Sequence, residues 1–148
     1  VDVNKKHELS KMKTSYPTKI IVAWGESISG NSKIRDWLMA NGYPELGIFV
    51  HALNNQNEAR KWLLDNNHPH LMALINGCEG NINAINWLKK FEFDVLAHMA
   101  LAADNHPKAY TWLIENDFRE WAIVAEKIRL VKNDLDRRNN DVHSFSTD

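Results

Sequence analysis

Apolar residues recur along this chain at the spacing of amphipathic helices, and the whole pattern repeats every 25 residues. The dipeptide Trp-Leu marks each copy, at Trp37-Leu38, Trp62-Leu63, Trp87-Leu88 and Trp112-Leu113. Cutting the chain at this period gives four repeats that align without gaps, 34–58, 59–83, 84–108 and 109–133. Because Ile21, Trp24 and Ile28 fall in matching columns, the sequence predicts a fifth, partial repeat over about 9–33.

Each repeat predicts a pair of helices. Apolar residues occupy positions one, four, five and eight of the repeat, and again thirteen, sixteen, seventeen and twenty, which is the pattern of two amphipathic helices. The first helix is predicted to end at the Asn of position eight, a residue that tolerates left-handed backbone. Pro44 and Pro69 stand where a second helix begins, since proline is accepted in a first turn. Asn and Ser residues between repeats are expected to cap the next first helix.

These short helix pairs predict a stacked architecture. A pair of short helices cannot cover its own apolar stripe, so neighbouring pairs must bury it together. We therefore predict an all-α fold, a right-handed α-α superhelix of about five stacked helix pairs. It occupies 1–138 and ends in a long, polar-faced capping helix, followed by a polar, frayed tail over 139–148. The stretch 20–24 alone is also compatible with a buried strand, but its register with the other repeats favours helix.

Composition places the chain among folded, single-domain proteins. It has 148 residues, of which 44% are hydrophobic and 25% charged, and a net charge of -1 gives no general attraction to nucleic acid or to an anionic membrane. The single cysteine, Cys78, cannot form an internal disulfide and favours a reducing compartment. No apolar run is long enough to span a bilayer, and the opening residues lack the apolar core of a signal peptide. We expect a cytoplasmic protein.

The repeat resembles a known family of helix pairs. Leu71-Met72-Ala73-Leu74, followed by Ala84-Ile85-Asn86-Trp87-Leu88, resembles the two-helix part of an ankyrin repeat, and the likeness extends over 34–133. The ankyrin unit has about 33 residues, so the shorter unit here leaves no room for its β-hairpin finger. The resemblance implies a non-enzymatic scaffold that binds a protein or a peptide along a concave face lined by the second helices.

Positions fourteen and eighteen flank the apolar stripe of the second helix and supply the candidate binding groove. Its candidate residues are Glu26, His51, Met72, Asn76, Leu101 and Glu126. They would form a shallow groove of mixed chemistry without a repeated charge. The alternative interpretation is an ordinary solvated helix face.

The recurring tryptophans allow two interpretations. Aromatic rings in a row can bind peptides or single-stranded bases. Recurrence beside leucine favours core packing, in which each tryptophan is buried where two layers meet. Cys78 also falls in an apolar column, which predicts a small buried side chain rather than a nucleophile.

The sequence contains no catalytic or cofactor motif, and we predict neither an enzyme nor a cofactor. His68-Pro69-His70 is the closest histidine pair, but no further ligands stand at metal-binding spacing, so packing over a helix end is the preferred interpretation. An alternative function is nucleic-acid binding by the basic amino-terminal repeat, whose lysines are Lys5, Lys6, Lys11, Lys13 and Lys19. Self-association through an exposed end repeat also stays open.

Overall fold

Helices account for all regular structure in the described part of the chain, residues 16–146, of this computed structural model; side chains are described up to residue 140. Nine helices lie in these residues, and no strand does. Their bounds are α1 Thr18–Ile28, α2 Ser32–Ala40, α3 Pro44–Leu53, α4 Asn57–Asp65, α5 Pro69–Cys78, α6 Ile82–Lys90, α7 Asp94–Ala103, α8 Pro107–Glu115 and α9 Arg119–Ser146. The prediction of two helices per repeat is confirmed, and the stretch 20–24 is helical.

The helices end in turns that repeat with the sequence period. A residue with positive φ follows each first helix (Gly42, Asn67, Glu92 and Asp117) and each of the first four second helices (Gly30, Asn55, Gly80 and Asn105). The next N–H then donates to a carbonyl five residues back, as Tyr43 N does to Leu38 O at 2.9 Å. This is the hydrogen bond of a Schellman motif. It satisfies carbonyls that a helix end would otherwise leave without partners.

The Asn of position eight has a different role from the predicted one. Asn41, Asn66 and Asn116 have negative φ, so the left-handed residue is the next one along the chain. Their side-chain amides instead donate to the backbone carbonyl of the tryptophan four residues earlier, at 2.8, 2.9 and 2.8 Å. The amino-terminal caps predicted between repeats are present in two of them, where Asn31 and Asn81 accept hydrogen bonds from Ile34 N and Ala84 N.

The helices form two layers. The second helices, α1, α3, α5, α7 and the first part of α9, carry most of the buried side chains, whereas the first helices each bury only one or two residues. Each first helix lies outside and contacts the two second helices that flank it in sequence. Position sixteen fills the centre of the inner layer, with Trp24, Phe49, Leu74, Met99 and Val124 all buried.

The first and last inner helices also pack against each other. The Trp24 and Trp121 rings meet edge to face at 6.3 Å, and Lys127 Nζ of α9 lies 2.9 Å from Glu26 Oε1 of α1. The stack of helix pairs therefore closes on itself, whereas the sequence predicted contacts between neighbouring repeats only.

Small residues allow this closure. Contacts are closest along α5, α7, α9 and α1, and α7 and α9 bury small side chains, Ala97, Ala100, Ala122 and Ala125. A Cβ on Gly77 of α5 would lie 2.8 Å from the Cβ of Ala100 on α7, which real Cβ atoms do not tolerate. Contacts of α3 with α1 and α5 are fewer.

The long carboxyl-terminal helix is confirmed, but it extends further than predicted. Helix α9 continues to Ser146, beyond residue 138 at which the predicted repeat domain ends, and residues 147 and 148 lie outside the described part; the frayed tail stays a prediction. Lys132 Nζ of α9 lies 2.7 Å from Asp104 Oδ1, which ties the helix to the end of α7. None of the helices in residues 16–146 combines the length and the apolar character that crossing a bilayer requires.

Candidate functional site

The repeated tryptophans lie on the outer helices and are not buried in the core. In each Trp-Leu pair the leucine has no exposed surface, whereas Trp62, Trp87 and Trp112 are half-buried and Trp37 is 47% exposed. The prediction of core packing therefore holds only in part, since Trp62, Trp87 and Trp112 are partly buried against the core and Trp37 is exposed. The reason is geometric, because position five points at the inner layer while position four lies at the side of the apolar stripe.

Three of these indoles have equivalent surroundings. Each stacks on the ring at position ten of its own repeat: Trp62 on His68 at 5.8 Å, Trp87 on Phe93 at 6.0 Å and Trp112 on Phe118 at 5.9 Å, all within 10° of parallel. Trp37 differs, since Tyr43 at its position ten pairs with Tyr16 instead. The stacked rings hold each indole in one orientation while leaving an edge in solvent.

Trp112 is the most firmly held of the four. His98 of α7 stacks on it with ring centres 3.7 Å apart and planes 6° from parallel, and Phe118 contacts it as well. His98 Nδ1 is itself fixed by a 2.7 Å hydrogen bond, as donor, to the Asp94 carbonyl. The indole is thus held between rings from two successive repeats.

Two open clefts border helix α8 beside Trp112. One, of about 380 Å³, is lined by Trp112, Lys108 and Glu115, together with Pro107 and Thr111. The other, of about 630 Å³, includes His106, Tyr110, Glu126 and Arg129 and again Pro107 and Thr111. Because the two clefts share Pro107 and Thr111, they form one continuous surface across α8. We call the residues that line them the α8 surface.

Charges on the α8 surface occur in pairs of opposite sign. Arg129 donates to Glu126 through two hydrogen bonds, one from Nε at 3.1 Å, and this lowers the pKa of the Glu126 carboxyl below its ordinary value. Lys108 and Glu115 stand at the two ends of the smaller cleft. His106 Nε2 lies 3.8 Å from Asp104 Oδ2, whose other oxygen binds Lys132. Arg129 and Lys132 each bind a carboxylate, and His106 lies near one.

The six candidate groove residues lie in different surroundings. Met72 is 7% exposed and belongs to the core, so it cannot line an open groove. Glu26 is exposed but binds Lys127, and Glu126 is the one predicted residue that lines the α8 surface. His51, Asn76 and Leu101 are half-buried in the last turns of their helices, where their backbone carbonyls accept the turn hydrogen bonds. The position-fourteen column is mostly buried because the inner helices converge there.

Tyr110 and Thr111 are the site residues that the periodic pattern misses. Both lie on the polar face of α8, at positions two and three, where the repeat imposes no apolar residue. The one signal in the sequence is the large aromatic ring of Tyr110 on a face that is otherwise polar.

His70 and Cys78 lie in the interior, and His68 is half-buried. His68 stacks on Trp62 over the end of α4, as the packing interpretation predicted. Among the described residues, no cluster of three or more His, Cys, Asp or Glu side chains is placed to hold a metal ion. Cys78 is buried in the core, and burial raises the pKa of its thiol well above the ordinary value.

Comparisons with family models, curated proteins and solved structures find no match to this chain. The ankyrin resemblance therefore stays a prediction.

Proposed function

We propose that this protein is a non-enzymatic helical-repeat scaffold that binds another protein or a peptide through the α8 surface. The observation that supports this function is the arrangement of half-buried Trp112 and exposed Tyr110 on either side of Thr111. Aromatic anchors at the centre of a contact surface supply much of the affinity in protein complexes. Since stacking already fixes the Trp112 ring, binding costs little conformational entropy there.

The charge pattern favours a polypeptide partner over a nucleic acid. A phosphate backbone that approached Arg129 or Lys108 would also meet Glu126 and Glu115. A peptide can carry charges of both signs, so it fits a surface on which basic and acidic side chains lie side by side better than a phosphate backbone does. The nucleic-acid alternative depends on Lys5, Lys6, Lys11 and Lys13, which lie outside the described residues, and on Lys19, which is exposed on α1.

Two further proposals concern the environment of the scaffold. The lone, buried Cys78 is in keeping with a reducing compartment, and we propose a cytoplasmic location. Contact between α1 and α9 occupies the two terminal inner helices. We therefore favour a scaffold that acts alone over self-association through an end repeat.

Peptide selection followed by a matched pair of substitutions tests the proposed surface. The protein is used to select binders from a random peptide library, and the Kd of a selected peptide is measured for two variants. Thr111→Arg places a long cation between the two clefts, whereas Asn86→Arg makes the same change at the same repeat position on α6. We expect Thr111→Arg to weaken binding by about tenfold or more, and Asn86→Arg to leave Kd unchanged.

Equal effects of the two substitutions would contradict the α8 surface as the site. A single-stranded oligonucleotide that binds more tightly than any selected peptide, with affinity falling steeply as salt rises, would instead support the nucleic-acid alternative. Both substitutions are at exposed positions, so the circular dichroism spectrum should match that of the unchanged protein.

A further inference from the structure

His68 and His70 join two tryptophans of successive repeats through an unbroken series of rings. Trp62 stacks on His68, the two histidine rings meet at 5.8 Å, and His70 stacks on Phe93 at 5.1 Å with planes 4° from parallel. Phe93 in turn stacks on Trp87. We call these five rings the aromatic chain. It connects α4, α5 and α6 with the segment that leads into α7.

His70 is buried and His68 is half-buried, and each has one buried ring nitrogen without a partner among the described residues. His70 is 1% exposed, and the Nδ1 atoms of His68 and His70 have no hydrogen-bond partner in the described part of the chain. An uncharged ring tolerates this, since its Nδ1 can remain unprotonated against apolar neighbours. A protonated ring would bury a charge and a donor without a partner, which is costly.

The charged groups around the pair favour protonation of only one member. Glu45 of α3, which accepts a 2.8 Å hydrogen bond from Tyr16 Oη, acts on His68 and opposes the effect of burial there. Toward His70, the segments before α5 and α7 present the rings of His68 and Phe93, and the charged form of His68 would repel a charge on His70. His70 is therefore the member that the fold holds neutral.

We propose that the His68–His70 pair is an acid-sensitive switch, in which protonation of His70 breaks the aromatic chain and loosens the contact between α5 and α7. Stacking of His70 on Phe93 is lost when the charged ring moves toward water. His68, which stacks on Trp62, and Phe93, which stacks on Trp87, then lose their contacts with His70. The switch lies on α5, away from the α8 surface, so it does not depend on the proposed function.

The pH range follows from linkage. Burial lowers the pKa of His70 from 6.5 to about 4 in the folded protein. An opened state, with His70 in water, binds the proton more readily between these values. The state in which His70 stays stacked on Phe93 is therefore favoured above pH 6.5, and this preference is lost progressively as the pH falls toward 4. Over about pH 6.5 to 4.5, the equilibrium constant for opening is expected to rise roughly 40-fold.

Hydrogen exchange on the full chain tests this switch. Amide protection in residues 66–72 and 91–97, corrected for the intrinsic exchange rate, should fall as the pH is lowered from about 6.5 to about 4.5. His70→Phe keeps a ring to stack on Phe93 but cannot be protonated, so this pH dependence should disappear. His98→Phe makes the same change at the ring that stacks on Trp112, and it should retain the pH dependence.

Retention of the full pH dependence in His70→Phe would overturn the proposal, as would acid-induced opening confined to other helices. Should His70→Phe fail to fold, nuclear magnetic resonance of the unchanged protein decides. The Cε1–H signal of His70 should titrate far below 6.5, together with the indole N–H signals of Trp62 and Trp87. A His70 signal that titrates near 6.5 without movement of those indole signals would also overturn the proposal.

Discussion

Neighbouring residues of helix α4 show how strongly burial depends on a single step along the chain. Trp62, Leu63 and Leu64 follow one another, yet the first is half-buried, the second fully buried and the third 55% exposed. A rotation of about 100° per residue carries the side chains from the flank of the apolar stripe, through its centre, to solvent. The smaller leucine therefore contributes more to the core than the larger tryptophan.

This ordering predicts the effects of three alanine substitutions. Leu63→Ala should lower the free energy of unfolding by about 3 kcal/mol, since it leaves a cavity in a closed interior. Trp62→Ala should cost about 1 to 2 kcal/mol, mainly through the lost stacking on His68. Leu64→Ala should change it by less than about 0.5 kcal/mol. Urea denaturation measures all three, and a larger loss for Trp62→Ala than for Leu63→Ala would restore the buried-tryptophan interpretation.

At the scale of single residues, the sequence predicts which residues of different repeats are equivalent better than it predicts how deeply they are buried. The 25-residue period identifies Trp62, Trp87 and Trp112 as counterparts. In the structure each of them stacks on the ring at position ten of its own repeat. It could not predict that their rings would lie beside the core, because a tryptophan on the flank of a stripe and one at its centre both fit a helical pattern. It also could not identify Tyr110, whose importance comes from the clefts around it.

At the scale of helices, the turns are as regular as the helices themselves. Eight residues of positive φ follow the 25-residue period, although only three of them are glycine. The others are Asn, Asp and Glu, and the first two tolerate left-handed backbone better than most residues do. The backbone of each turn is thus imposed by the helix pair it connects, and the side chain adapts to it.

Substitution of Asn67, where φ is 67°, tests this view. Asn67→Ala should lower the free energy of unfolding by about 1 kcal/mol, because alanine disfavours left-handed backbone. Asn67→Gly should cause no loss, since glycine adopts this conformation freely. Asn86→Ala, in the ordinary helical backbone of α6, is the control. Equal losses for alanine and glycine at position 67 would mean that the side chain of Asn67 matters more than its backbone.

Helix boundaries were largely predictable, but the residues that end the helices were not. Pro44 and Pro69 mark the start of α3 and α5, as expected. Asn41 and Asn66 were identified as helix ends, yet the left-handed position is the next residue, since the asparagine still has helical hydrogen bonding and its amide caps the tryptophan carbonyl. A polar residue in a turn fits both roles, so the sequence alone does not distinguish them.

At the scale of the whole molecule, closure of the stack is the feature that the period could not predict. A repeat specifies contacts between neighbours, and those contacts alone are compatible with an open superhelix. Whether the ends meet depends on how closely successive inner helices approach. Here Gly25 and Gly77, with the alanines of α7 and α9, bring the backbones together and let α1 reach α9. Such small residues are also common in ordinary cores.

Closure of the stack predicts that a destabilising substitution in α1 also destabilises α9. Gly25 of α1 faces Val124 and Lys127 of α9, at 3.5 and 3.2 Å from the position of an added Cβ. Gly25→Leu should therefore wedge α1 away from α9 and lower the free energy of unfolding by about 1 to 3 kcal/mol. Val22→Leu enlarges an exposed side chain on the same helix and should change little.

The helices in which amide protection is lost are more informative than the size of the change in the free energy of unfolding. In an open stack, a wedge on α1 would weaken α1 and its sequence neighbour α2, while α9 stayed protected by α7 and α8. In the closed stack, α9 loses its contact with α1 as well, so amide protection in 119–128 should fall together with that in 18–28. Hydrogen exchange on Gly25→Leu distinguishes the two cases, and unchanged protection in 119–128 would mean that closure contributes nothing to stability.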